Sequence, residues 1–156
     1  MKPILTVLCA LLLALSAPLA MAQQQLVTDP EIYEKSHFNE QCKIAQYDSD
    51  FISRIDINND GLTDAVVNEG AFSCDGARGP QCDGDGCPYN FYVQVKEGGY
   101  LLIATARIYS YEFMKRFGNM VFAFKMHPRF CDRTDSEPCE MIVRVRGVTF
   151  VTISKK

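Results

Sequence analysis

The chain has 156 residues, with 16 Lys plus Arg against 19 Asp plus Glu for a formal net charge of −3, and 47 % of its residues are hydrophobic. That size and balance suit a single packed domain and argue against nucleic acid or an anionic membrane surface as the main partner. After residue 22 no apolar run approaches the ~20 residues that cross a bilayer, so membrane insertion is not expected.

Residues 1–22 comprise Lys2, an apolar core from Ile4 to Leu15 and the small-residue site Ala20-Met21-Ala22, the layout of a secretory signal. The mature chain is expected to begin near Gln23, to form one domain over 23–156 and to be periplasmic or secreted. Leu8 stands where a lipid-modified Cys9 would need a small residue, so a lipoprotein anchor is not expected. Removing the segment leaves 15 basic against 19 acidic side chains, and six cysteines: Cys42, Cys74, Cys82, Cys87, Cys131 and Cys139.

An even cysteine count in an exported chain reads as disulfides, with pairing open among ~15 connectivities. Cys82 with Cys87 and Cys131 with Cys139 would close short local loops, and Cys42 with Cys74 would staple the N-terminal segment beside the Asp-rich loop described below. Zinc is the weaker alternative, because there is no C-x2-C pair and His37 and His127 are the only imidazoles.

In chain order, Thr28-Asp29-Pro30-Glu31 carries a capping residue, a Pro at a first helical position and an early acid, which predict a helix running to about Phe38. Its partial stripe of Ile32, Tyr33, Ser36 and Phe38 predicts an element lying on a sheet. The remainder has the two-residue period of half-buried strands. Phe51 to Ile55 and Leu62 to Val67 flank a turn. Phe91, Val93 and Val95 lead through Glu97-Gly98-Gly99 into Tyr100 to Ile108, a hairpin pattern. Met120 to Met126, Met141 to Arg146 and Val148 to Ile153 complete at least five antiparallel strands. Ser73 to Pro88 is expected to be one long irregular, cross-linked loop. The fold class is therefore mainly β, antiparallel, with a short N-terminal helix and disulfide staples.

The turn between Ile55 and Ala65 carries the chemistry. Asp56, Asn58, Asp60 and Asp64 place side-chain oxygens at loop positions one, three, five and nine around Gly61, the way a short loop wraps a hard cation that takes six to eight oxygens. Position twelve is Val67, not the bidentate Glu of an EF-hand, and the flanks are strand-like. Asp56 to Asp64 resembles the D-x-D/N-x-D-G-x-x-D loop of FG-GAP and VCBS-type repeats, which joins two strands. The resemblance implies Ca²⁺ held by Asp56, Asn58, Asp60, the carbonyl of Leu62, and Asp64. It covers about 15 residues and occurs once, so the functions of complete propellers are not implied. With the Gly-x-Gly-Cys-Pro segment, the single loop is also similar to small exported bacterial proteins, which supplies no activity. The plainer alternative is a metal-free Asn-Asp-Gly turn.

Glu69 is a further candidate ligand reaching back to the loop. Asp75, Asp83 and Asp85 in the cysteine segment read as an acidic loop tip, with a second cation site as the alternative. Tyr89, Phe91, Tyr92, Tyr100, Tyr109, Tyr111 and Phe113 are expected mostly in the core, with outward tyrosines as a binding patch. Arg144 and Arg146 share a strand face and could meet an acidic partner. Nucleophile-elbow, zinc-protease and phosphate-loop motifs are missing. The expected function is a small non-enzymatic exported protein whose structural Ca²⁺ sits beside a recognition surface for an envelope or extracellular protein. An inhibitor or immunity-type protein is the alternative, and a calcium-supported hydrolase the weaker one.

Overall fold

The computed structural model describes residues 26–116 and 118–156. The expected signal segment and the mature start at Gln23 lie outside the described residues. The elements run β1 (Leu26–Val27), α1 (Pro30–Gln41), β2 (Ala45–Tyr47), β3 (Ile52–Ile55), β4 (Asp64–Asn68), β5 (Phe72–Cys74), β6 (Ala77–Arg78), β7 (Cys87–Gln94), β8 (Tyr100–Ile108), β9 (Ser110–Arg116), β10 (Asn119–Met126), β11 (Cys139–Arg146) and β12 (Thr149–Lys155).

All strand pairs are antiparallel. They form a five-stranded sheet ordered β1-β8-β7-β4-β3, a four-stranded sheet ordered β12-β11-β10-β9 and a small sheet of β2, β5 and β6. The expected mainly β, helix-bearing fold is therefore present. The segment expected to be irregular instead contains β5, β6 and the start of β7, paired through Ser73 with Arg78 and Cys74 with Ala77. Its strands are too short, and too rich in glycine around them, to show a two-residue period.

The five-stranded sheet is the middle layer. One of its faces sends Val66, Phe91, Val93 and Ile108 against Phe122, Phe124, Val143 and Val145 of the four-stranded sheet. The opposite face sends Ala65, Val67 and Tyr92 against Phe38 of α1, Phe51, and Phe72 of the small sheet. Both side-chain sets of β4 and β7 are thus buried, which is why Ala65, Val66 and Val67 form a continuous apolar run where a half-buried strand would alternate. Tyr92, outward in a two-layer reading, is 1 % exposed for this reason.

Asp29 caps α1 by accepting from Glu31 N at 2.9 Å and Ile32 N at 3.1 Å, and Pro30 fills the first turn. Its other oxygen takes Arg54 Nη2 of β3 at 2.7 Å, tying the helix start to the middle sheet. The helix runs to Gln41, and its buried face is Pro30, Glu34 and Phe38; of the expected stripe Phe38 is buried, whereas Ser36 and Tyr33 are exposed and Ile32 is 72 % exposed. Phe38 stacks on Phe72 with ring centroids 4.2 Å apart. Burying that ring contributes about 1.5–3 kcal/mol.

Glu34 enters this apolar layer because polar side chains of the middle sheet meet its Oε1. Its Oε1 accepts from Tyr92 Oη at 2.6 Å and Asn90 Nδ2 at 2.8 Å. Asn90 Nδ2 also donates to Glu69 Oε1 at 2.9 Å, and Asn90 Oδ1 accepts from Thr105 Oγ1 at 2.6 Å. Burial, and then the bond to Glu34, push the Tyr92 phenol far up, so it remains a donor. Burial also raises Glu69; the Asn90 bond lowers it and the Glu34 charge raises it again.

The cysteines pair as Cys42–Cys74, Cys82–Cys87 and Cys131–Cys139. The first joins the end of α1 to β5 within the helix-side core, whereas the Asp-rich loop sends Ile57 into the core on the opposite face of the sheet.

Two stability predictions come from the Glu34 network. Glu34→Ala strands the Tyr92 hydroxyl and takes one of its two acceptors from the Asn90 amide, and should lower the unfolding free energy by about 2–4 kcal/mol in urea titrations, while Ile32→Ala should stay within about 0.5 kcal/mol. A carboxyl raised by folding contributes stability that is fully present below its unfolded value, about 4.5, and is lost as pH rises through the folded value. The stability of Glu69→Gln relative to the parent should therefore increase from about pH 4.5 upward; parallel pH profiles would show that Glu69 titrates normally.

Candidate metal centre

The loop between β3 and β4 is anchored from below before any side chain faces solvent. Ile57 is 1 % exposed and belongs to the core between the two large sheets. Asn59 and Gly61 take left-handed backbone, with φ of 62° and 87°, which Asn tolerates and Gly adopts without strain. These two residues allow the chain to reverse within the loop while its N–H groups turn inward.

Asp56 collects those N–H groups. Its Oδ1 accepts from Asn59 N at 2.7 Å and Asp60 N at 3.2 Å, and its Oδ2 from Gly61 N at 2.9 Å. Asn58 Oδ1 accepts from Asp60 N at 3.1 Å, and Asp60 Oδ1 from Leu62 N at 2.8 Å. The Asn58 amide donates to Asp60 Oδ2 at 3.0 Å and to the carbonyl of Gly147, in the β11–β12 turn, at 3.2 Å.

Asp64 is the deepest member. It is fully buried, with Oδ2 accepting from Ile57 N and Oδ1 from Gln94 N of β7, both at 2.8 Å. Burial raises its carboxyl; the two backbone bonds lower it, and the charges of Asp60 and Asp56 raise it further. Asp56, Asp60 and Asp64 therefore act on one another, and among the described residues none of them pairs with Lys, Arg or His. Donors that are all oxygen, three of them anionic and with no cationic side chain beside them, suit a hard cation of the Ca²⁺ class. In this conformation the oxygens are turned to the loop's own N–H groups. No cluster of three or more His, Cys, Asp or Glu among the described residues is gathered as a metal cage.

The other candidates fall elsewhere. Glu69 follows the far end of β4, roughly 16 Å along the strand from Asp64 at ~3.3 Å per residue, and is engaged by Asn90, so it is not a ligand to this loop. Asp83 pairs with Arg107 at 2.9 Å, Asp85 with Arg129, and Asp75 Oδ1 accepts from Ile44 N at 2.8 Å. The acids of the cysteine ring are thus answered by guanidinium groups, which removes the basis for a second cation site. Gly86 is required in that ring: its φ is 112°, and a Cβ there would lie 2.5 Å from the Ile108 carbonyl oxygen.

The aromatic tract builds core. Phe91 and Tyr92 are buried, and Tyr89, Tyr111 and Phe113 pack around the Phe91–Phe122 cluster. Tyr109, 39 % exposed, donates its hydroxyl to Gly84 O at 2.8 Å, so the tyrosines do not gather into an outward patch. His127 caps the short helical turn that follows it, and His37 lies exposed against Gln41 on α1. The Glu34–Asn90–Glu69 network was not read from the sequence; the i, i+4, i+8 spacing of Pro30, Glu34 and Phe38 was the available signal. Comparison with protein-family models, curated proteins and solved structures returns no match.

These contacts separate scaffold from ligand. In chelator, Asp64→Ala should cost about 2–4 kcal/mol of stability, since it strands two buried backbone N–H groups, whereas Asp60→Ala should cost about 1 kcal/mol or less. Equal losses in urea titrations would show that Asp64 does not carry the loop.

Proposed function

We propose that this chain is a small exported calcium-binding protein, non-enzymatic, in which Ca²⁺ stiffens the β3–β4 loop beside a recognition surface for an envelope or extracellular protein. Asp56, Asn58, Asp60, the carbonyl of Leu62, and Asp64 would hold the ion. The observation that carries this reading is Asp64, a fully buried carboxylate whose ionised form is opposed by Asp56 and Asp60 and answered by no basic side chain among the described residues. A divalent cation bound there neutralises the mutual repulsion and ties the loop's ends together.

Support comes also from the surroundings. Ile57 below and the Gly147 contact beside the loop hold its path, so less ordering is left to the binding event. Extracellular sites of this kind work at about 10⁻⁴ to 10⁻³ M, and an ion at tenfold excess over Kd adds about 1.4 kcal/mol by mass action.

Thermal melting of the oxidised protein in excess chelator, then in millimolar Ca²⁺ or Mg²⁺, tests this. The expected result is a rise of roughly 3–6 °C specific to Ca²⁺ and abolished in Asp60→Ala. Superimposable curves in all conditions would reduce the loop to a turn.

A further inference from the structure

The surface next to the loop has an unusual charge arrangement. Of the eight arginines in the chain, five pair with carboxylates: Arg54 with Asp29, Arg78 with Asp48, Arg107 with Asp83, Arg129 with Asp85 and Arg133 with Asp135. Arg116, Arg144 and Arg146 pair with no carboxylate among the described residues, and all three lie at the same end of the four-stranded sheet. In a chain of net charge −3, with acids available for every other arginine, this end is the one place among the described residues where guanidinium groups collect unanswered by a carboxylate.

They line two adjoining clefts. One, of about 320 Å³, runs between Asn58 and Asn59 of the candidate metal loop and Arg144, Arg146 and Gly147. The other, of about 210 Å³, lies between Arg116 and Arg144 over a floor of Val121, Ile142 and Ile153. Among the described residues, no Asp or Glu lines either cleft. Arg144 stands on the boundary, steadied by its Nη1 bond to Asn119 Oδ1 at 3.3 Å. Val121 and Ile142 pack with Ala123 and Met114 on the sheet face turned away from the main core, and Ile153 beside them is 54 % exposed.

We infer that these clefts receive an acidic, extended segment of a partner protein, a carboxylate side chain between Arg144 and Arg146 and an aliphatic side chain on the Val121–Ile142–Ile153 floor. Guanidinium forks match carboxylates with two parallel bonds, and arginine is enriched at protein interfaces. Residues two apart in an extended strand point to the same side, so one acid and one aliphatic residue in that spacing can enter neighbouring clefts together. The apolar floor favours a peptide over a sulfated sugar, which brings charge without an aliphatic side chain. The inference deepens the recognition half of the proposed function and rests on it, but it does not require the metal.

The test uses fluorescence anisotropy of a labelled peptide of repeating Glu-Ser-Leu-Ser, run on the oxidised protein in chelator and in millimolar Ca²⁺. Expected are saturable binding that weakens with salt, loss of about tenfold or more in Arg144→Gln/Arg146→Gln, and no loss in Arg78→Gln. Replacing Glu by Gln in the peptide should abolish binding, and replacing Leu by Ser should weaken it. The melting curve of each variant confirms that it is folded. An unbound peptide, equal binding by the double variant, or arginine-dependent capture of a heparin fragment in place of the peptide would overturn the assignment. A Ca²⁺-specific melting rise without peptide binding fails this inference alone; peptide binding without any melting rise fails the metal reading and leaves this one standing.

Discussion

Asp64 is the constraint through which the candidate site and the fold meet. Its carboxylate has no exposed surface, and its two oxygens are divided between Ile57 N in the loop and Gln94 N at the end of β7. The residue thus closes the β3–β4 turn and fastens it to the next strand of the middle sheet. A charge-assisted bond to a backbone N–H is stronger than its neutral counterpart, and inside the protein its loss leaves the donor without water as a substitute. The same buried position that gives Asp64 this structural role makes its charge difficult to sustain beside Asp56 and Asp60. The scaffold and the concentration of negative charge on which the proposed cation site rests therefore come from one side chain.

The layering explains how so short a chain supports a polar loop of this kind. β4 carries apolar side chains to two cores at once, Val66 to one and Ala65 and Val67 to the other, so the strand leaving the loop is held from both sides. Ile57 pins the entering side to the inter-sheet core. Opposite, the helix-side core admits the Glu34 carboxylate because Tyr92, Asn90, Thr105 and Glu69 link into one connected network, and no buried side-chain nitrogen or oxygen among the described residues lacks a partner. Such networks stabilise only when complete.

Much of this was legible in the residues. The strands β3, β7, β8, β10, β11 and β12 follow apolar alternation and turn glycines, β4 shows as an apolar run beside the Asp-rich turn, the Pro30 start marks the helix, and short loop-closing distances anticipate Cys82–Cys87 and Cys131–Cys139, which leaves Cys42 for Cys74. The helix face was misread because Ile32 and Tyr33 look like core residues, while the sheet they were expected to cover instead meets Pro30, Glu34 and Phe38. Tyr92 and the third layer were hidden for a related reason: alternation assigns one face of a strand to solvent and cannot tell that a second layer covers it. The short strands β2, β5 and β6 depend on pairing between distant segments, such as Ala45 with Cys74, which local periodicity does not encode. At the loop, spacing identified the oxygens, but not that Asp64 is buried or that Asn58 reaches the β11–β12 turn.

The measurement that addresses the central claim most directly is a ¹⁵N–¹H correlation spectrum of the oxidised protein titrated with Ca²⁺. Saturable shifts should be concentrated on the amides of Ile57, Asn59, Asp60, Gly61 and Leu62, whose hydrogen bonds to Asp56, Asn58, Asp60 and Asp64 must readjust as those oxygens take up the ion, with a smaller response at Gln94. An unchanged loop at millimolar Ca²⁺, or shifts centred on the Cys82–Cys87 ring, would contradict the account.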